Sequence, residues 1–90
     1  MDFEWDAAKA ASNLRKHGVS FDEAVTVFGD QRAVTFSDTD HSQNEDRSRT
    51  YGMSSKGRLL VVVHTERPKK VRIINARKAT PYEQTIYIKG

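Results

Sequence analysis

Arg58-Leu-Leu-Val-Val-Val-His-Thr-Glu66, the turn Arg67-Pro-Lys-Lys70, and Val71-Arg-Ile-Ile-Asn-Ala-Arg-Lys78 decide the fold of this 90-residue chain. The first piece carries a continuous apolar run, Leu59 to Val63, which is the pattern of a strand buried on both faces. The last piece alternates. Val71, Ile73, Asn75 and Arg77 are expected on one face, and Arg72, Ile74, Ala76 and Lys78 on the other. Before the buried strand, Ser55-Lys56-Gly57 supplies a tight turn. Arg47 to Ser54 also alternates, with Arg47, Arg49, Tyr51 and Met53 on one side. Ala33 to Ser37 reads as a further strand, and Asp38 to Glu45 as a polar loop.

The two ends of the chain read as helical. Thr80, Pro81 and Glu83 form a capping box with proline at the first helical position, opening a helix that carries Tyr82, Ile86 and Tyr87. At the other end, Phe3 and Trp5 alternate with acids as a short strand would. Asp6 can cap a helix bearing Ala7, Ala10, Ala11, Leu14 and His17, which Gly18 ends. Ser20 with Glu23 predicts a second capping box, and Val19 with Ala24 a hydrophobic staple. Phe21, Ala24, Val25 and Phe28 then form an apolar stripe, stopped at Gly29. The expected fold is α+β in one domain, 1–90. Two N-terminal helices pack on a small antiparallel sheet of about four strands, followed by a C-terminal helix. The helix pair covers one sheet face, and the other is left partly open.

The composition narrows the chemistry. Fifteen Lys and Arg stand against twelve Asp and Glu, for a net charge of +3. The charge is uneven: −3 over residues 1–30, +1 over 31–60 and +5 over 61–90. A basic final third can attract phosphate or serve as solubilising charge. The absence of cysteine excludes disulfides and a thiol nucleophile. The longest apolar run is too short to cross a bilayer, and Asp2, Glu4 and Asp6 are unlike a signal segment, so no membrane association and a cytoplasmic compartment are expected. His17, His41 and His64 fall in no spaced ligand motif. Asp38, Asp40, Glu45 and Asp46 lack the spacing of a calcium loop and read as a solvated acidic stretch, so no metal and no cofactor are expected. No Gly-x-Ser-x-Gly elbow or phosphate-binding glycine loop is present.

What remains is a set of Arg, Lys, His and Tyr side chains, the inventory for cleaving RNA without metal. The ribose 2′-hydroxyl already lies beside the phosphorus. The protein has only to move protons, for which imidazole is suited, and to stabilise phosphoryl charge, for which guanidinium is suited. Each candidate also has an ordinary structural reading. His17 can favour the helix dipole or pack beside Leu14, and Lys16 can simply be solvated. Arg77 can hold an anion or pair with Glu83 or Glu45. Trp5, Tyr82 and Tyr87 can be packing groups as readily as base platforms. His64 reads as a satisfied core residue.

Several segments together resemble the BrnT toxin family. They are Phe3-Glu4-Trp5-Asp6, Lys9 through Phe21, Glu23-Ala24 with Val27-Phe28, Glu45-Asp46-Arg47, Gly52-Met53-Ser54, Arg72 through Thr80, and Glu83 with Tyr87. The pairing of Lys-His-Gly-Val-Ser-Phe with Arg-Ile-Ile-x-Ala-Arg is the specific signal. The resemblance implies a RelE-like ribonuclease toxin of a bacterial type II toxin–antitoxin pair, blocking translation by cutting RNA. The implied partner is a BrnA-type antitoxin with a ribbon-helix-helix part, and operator DNA is reached only through that antitoxin. Carried over by residue, Lys16, His17, Glu45, Arg47, Arg72, Arg77, Glu83 and Tyr87 match characteristic positions. The implied roles are phosphate binding by Arg77 and Arg47, and proton transfer by His17 helped by Lys16. Tyr87 would position substrate or donate a hydrogen bond, and Glu83 would orient Arg77. Asn75 departs from the family's more frequent Ser, and Pro81-Tyr82 replaces a more basic stretch. Two other readings stand beside this one: a co-repressor without catalysis that acts through the antitoxin, and an RNA-binding domain that leaves the strand intact.

Overall fold

The apolar run 59–63 lies in the central strand of a five-stranded sheet. The computed structural model describes residues 1–38 and 46–90. Its strands are β1 (Asp2–Glu4), β2 (Val34–Ser37), β3 (Ser48–Met53), β4 (Leu59–Arg67) and β5 (Lys70–Lys78), arranged β1-β5-β4-β3-β2. With two neighbours on each side, β4 buries every residue from Leu60 to Thr65. The helices are α1 (Ala7–His17), α2 (Phe21–Val25), continued by a 3₁₀ turn (Thr26–Gly29), and α3 (Pro81–Lys89).

The sheet corrects the expectation of about four antiparallel strands. It has five, and it is mixed: β2 to β5 form an antiparallel meander, while β1 runs parallel to β5 with Asp2 opposite Lys70 and Glu4 opposite Arg72. Nothing local tells a three-residue N-terminal strand which distant edge to join. Tertiary contacts decide it. Phe3 lies against Phe28 with ring centroids 5.2 Å apart, and Arg72 donates to Glu4 Oε2 at 2.9 Å. The parallel strand also covers part of an edge that would otherwise be open to pairing.

Caps set the helix boundaries. The Asp6 carboxylate accepts from the backbone N–H of Ala8 and Lys9 at 2.8 and 3.0 Å, and Gly18 ends α1 at φ 69°, where a side chain would be strained. Thr80 and Glu83 form the reciprocal capping box expected for α3. The box expected for α2 is only half made. Ser20 Oγ accepts from Glu23 N–H at 3.0 Å, but the buried Glu23 carboxylate turns elsewhere. It accepts from Ser54 Oγ at 2.7 Å and Arg58 Nε at 2.9 Å, and it also pairs with Arg58 Nη2. Arg58 Nη2 donates to Gly18 O at 3.0 Å as well, so this cluster ties the β3–β4 hairpin to the α1–α2 joint. A charged partner outcompetes a neutral backbone amide for the carboxylate.

Val19, Phe21, Ala24 and Val27 from the helical layer meet Leu60, Val62, Val71, Ile73 and Ala76 of the sheet, with Phe3, Trp5 and Phe28 at the rim. Gly52 lets this layer close on β3, since a Cβ there would stand 3.1 Å from Val27 Cβ and 3.2 Å from Val27 O. α1 does not bury the apolar face read from its spacing. Leu14 and His17 are exposed, and the only buried residue of α1 is Asn13. His64 is buried as expected, with Nε2 2.7 Å from Thr50 Oγ1 and its ring edge-on to Phe28. It is only half satisfied, because Nδ1 has no hydrogen-bond partner among the described residues.

Candidate functional site

A β-bulge in β5 determines which side chains can form a site. Val63 pairs with Asn75 while His64 pairs with Ile73, so Ile74 is an extra residue. A bulge reverses the side-chain parity of everything beyond it. Val71 and Ile73 face the core, but after Ile74 it is Ala76 that faces the core. Asn75 and Arg77 therefore leave the face of Val71 and Ile73, contrary to the simple alternation. They join the opposite face in two cross-strand rows, Arg49–Val63–Asn75 and Tyr51–Val61–Arg77.

α1 approaches this strand from its edge. β1 pairs only as far as Arg72, and beyond that point no strand among the described residues covers the outer edge of β5. Asn13 fills the gap. Its Nδ2 donates to Ala76 O at 2.8 Å and to Val19 O at 2.9 Å, and its Oδ1 accepts from Ala76 N–H at 3.1 Å. The last turn of α1 is thereby held beside Asn75 and Arg77.

Two hollows follow from this placement. One, of about 390 Å³, lies between α1 and β5 and includes Lys9, Ser12, Lys16, His17, Asn75 and Arg77. The other, of about 130 Å³, lies on the sheet face and is lined by Asp38, Arg47, Arg49, Val63, Asn75 and Arg77. Asn75 and Arg77 border both, so the hollow that holds Lys16 and His17 adjoins the one that holds Arg47.

Arg77 is fixed before any ligand arrives. Nη1 and Nη2 donate to the two oxygens of Glu83 at 2.6 and 2.8 Å, and Nη1 also reaches Lys78 O at 3.4 Å. The guanidinium holds the Glu83 carboxyl down at about 2, helped by the Thr80 backbone N–H and against burial. Glu83 in turn raises the Arg77 pKa. A guanidinium carries five N–H donors. Nε–H and one hydrogen of Nη2 have no acceptor among the described residues, and they can face a phosphate. Arg49 Nε stands 3.7 Å from the buried carboxylate of Asp38, which anchors the far side of the second hollow.

The other described candidates fall elsewhere. Arg72 lines neither hollow; it pairs with Glu4, which Arg67 and Lys70 also approach at 3.7 and 3.9 Å. Tyr87 donates its hydroxyl to Asp30 Oδ2 at 2.6 Å, and the same carboxylate accepts from Met53 and Arg32 backbone N–H. It ties α3 to the end of the 3₁₀ turn. Glu45, with Asp40 of the acidic stretch, lies outside the described residues. Tyr82 is exposed, while Trp5 packs edge-on against Phe21. Among the described residues, no three His, Cys, Asp or Glu side chains come together as a metal would require. No helix among them is long and apolar enough to cross a membrane. Lys9, Ser12 and Asn13 were not among the candidate site residues, and Arg49 was read with Arg47 only as part of one strand face. The i, i+3, i+7 spacing of Lys9, Ser12 and Lys16 was the available signal.

A protein-family model described as "Ribonuclease toxin, BrnT, of type II toxin-antitoxin system" matches residues 5–83. Among solved structures, the crystal structure of the Brucella abortus ribonuclease toxin BrnT superposes with a TM-score of 0.68 at 20% identity, covering 89% of this chain and 97% of that one. That likeness is one of fold. No individual curated protein sequence matches the chain.

Proposed function

The chain belongs to the BrnT family of ribonuclease toxins of type II toxin–antitoxin systems, and on that premise we propose that it is a metal-independent endoribonuclease that stops translation by cutting RNA. The observation that carries this reading is the shared border of the two hollows. Asn75 and Arg77 join a side holding Lys16 and His17 to a side holding Arg47 and Arg49.

In the proposed reaction the ribose 2′-hydroxyl attacks the adjacent phosphorus. The O2′–P bond forms and the P–O5′ bond breaks, leaving a 2′,3′-cyclic phosphate and a 5′-hydroxyl. His17 takes the 2′-hydroxyl proton, and the neighbouring Lys16 ammonium supplies the proton to the departing oxygen. Arg77, with its unused Nε and Nη2 hydrogens, and Arg47 hold the phosphoryl oxygens as their charge grows. Glu83 acts through Arg77 by fixing the plane of the guanidinium. Tyr87 acts one step further back: its bond to Asp30 anchors α3, which carries Glu83. Arg72 supports the site by holding β1 to β5. The sheet and helix arrangement is read as RelE-like, and the chain works in the bacterial cytoplasm.

The proposed partner is a BrnA-type antitoxin with a ribbon-helix-helix part, which covers the basic hollows and alone contacts operator DNA. The test is incubation of the antitoxin-free chain with RNA in EDTA, beside Arg77→Ala and His17→Ala. Cleavage by the wild type and its loss in both folded variants is expected. Undiminished cutting by both variants removes the site. A chain that binds RNA or antitoxin but neither cuts RNA nor arrests growth is a co-repressor or a plain RNA binder.

A further inference from the structure

We propose that Asn75 is the residue that reads the identity of the nucleotide at the cut. The proposal rests on the ribonuclease reading and deepens it.

Lys9, Lys16, Arg47, Arg49 and Arg77 supply charge to a phosphate backbone that is the same at every nucleotide. Contacts of that kind position a strand and carry no sequence information. Discrimination between bases needs either a stacking platform or a polar side chain left free to meet a base edge. Apart from the imidazole of His17, assigned to proton transfer, no aromatic side chain among the described residues lines either hollow. Tyr51, on the same sheet face, is buried against Phe36, and Tyr87 is committed to Asp30.

Among the polar side chains of the two hollows, most are already engaged. Both atoms of the Asn13 amide are bonded to the backbone of Ala76 and Val19. Asp38 is buried beside Arg49. Ser12 borders the α1 side only. Asn75 is exposed and borders both hollows, and its amide makes no hydrogen bond among the described residues. It stands two residues from Arg77 on the same strand face, at the place where the scissile phosphate is proposed to sit. The bulge at Ile74 is what turns it outward, and the Asn13 clamp on Ala76 holds its strand rigid on the other side. A donor and an acceptor beside the phosphate site, among cations taken up by the phosphate backbone, make a reader of base edges.

The experiment uses the full-length, antitoxin-free chain on a pool of RNA oligonucleotides with randomised positions around the cut, and the product ends are sequenced. The wild type is expected to favour particular bases beside the cut. Asn75→Ala should cut more slowly and with that preference reduced by about tenfold, the scale of one two-point amide–base contact. Asn75→Asp, which accepts but no longer donates, should move the preference toward guanine, whose N1–H and exocyclic amine are adjacent donors. An unchanged preference in Asn75→Ala overturns the proposal and leaves the ribonuclease reading standing. A wild type that cuts every sequence alike, or a folded Asn75→Ala that cannot cut at all, also overturns it. A wild type that cuts no RNA takes the ribonuclease reading away, and this proposal with it.

Discussion

The side-chain amide of Asn13 stands in for a missing strand beside Ala76. One group of the amide donates to the Ala76 carbonyl at 2.8 Å and the other accepts from its N–H at 3.1 Å, as a neighbouring peptide would. This pair fixes the helix that carries Lys16 and His17 against the strand that carries Asn75 and Arg77.

Asn13→Ala should destabilise the fold by about 2–4 kcal/mol, because it leaves buried backbone donors and acceptors of Ala76 and Val19 without partners. Asn13→Asp should recover little of this, since a carboxylate cannot donate to either carbonyl. Urea denaturation midpoints of the three chains check both outcomes.

Glu83 ties stability to acid. Its folded-state value of about 2 lies below the ordinary 4.5, so the unfolded chain binds the proton more readily. The stabilisation is complete above about 4.5 and is lost as pH falls toward 2. With Arg77 partly exposed, a contribution of roughly 2 kcal/mol is expected at neutral pH. Glu83→Gln should be less stable than wild type at pH 7, with the gap closing by pH 2. Thermal melts across that range would show a constant gap if the pair carried no linkage.

Arg77→Lys keeps the charge and removes the fork. A lysine cannot bond both Glu83 oxygens and present two further donors in one plane. RNA cleavage should fall by about a hundredfold in kcat/KM, the scale of one lost transition-state donor. A change confined to KM would make Arg77 a binding group only.

His64 gives a second pH dependence, near neutrality. Burial lowers its pKa, partly opposed by Glu66, and its ring lies against Thr50 and Phe28. Because the unfolded imidazole takes up a proton first, stability should begin to fall as pH drops below about 6.5, and continue down through the folded-state value. The double variant Thr50→Val with His64→Leu removes the ring and its partner together. Its denaturation midpoint should change less between pH 7.5 and 5.5 than that of the wild type; an equal change in both would place the dependence on other groups.

Much of the fold was legible from local chemistry. The Leu59–Val63 run, the caps at Asp6 and Thr80, Gly18 and the Ser54–Arg58 turn each act within a few residues, and the observed elements begin and end within a residue or so of where they predict. The parallel β1, the bulge at Ile74 and the diversion of Glu23 to Arg58 were not legible. Each depends on a partner distant in sequence or on a register slip that alternation cannot register. For the site, Lys16, His17, Arg47 and Arg77 were named from the sequence and lie in two adjoining hollows, while Arg49 was read only as a strand-face residue and Asn13 was not a candidate.

The sequence by itself determined the elements and the stock of cationic and imidazole groups, because capping, turn formation and side-chain chemistry are local properties. Only the tertiary structure decided which of those groups meet. An extra residue in β5 turned Asn75 and Arg77 outward, and an edge left open past β1 drew α1 against them. Both come from how strands pair over long distances, where the free energy lies in contacts that no short stretch of chain contains.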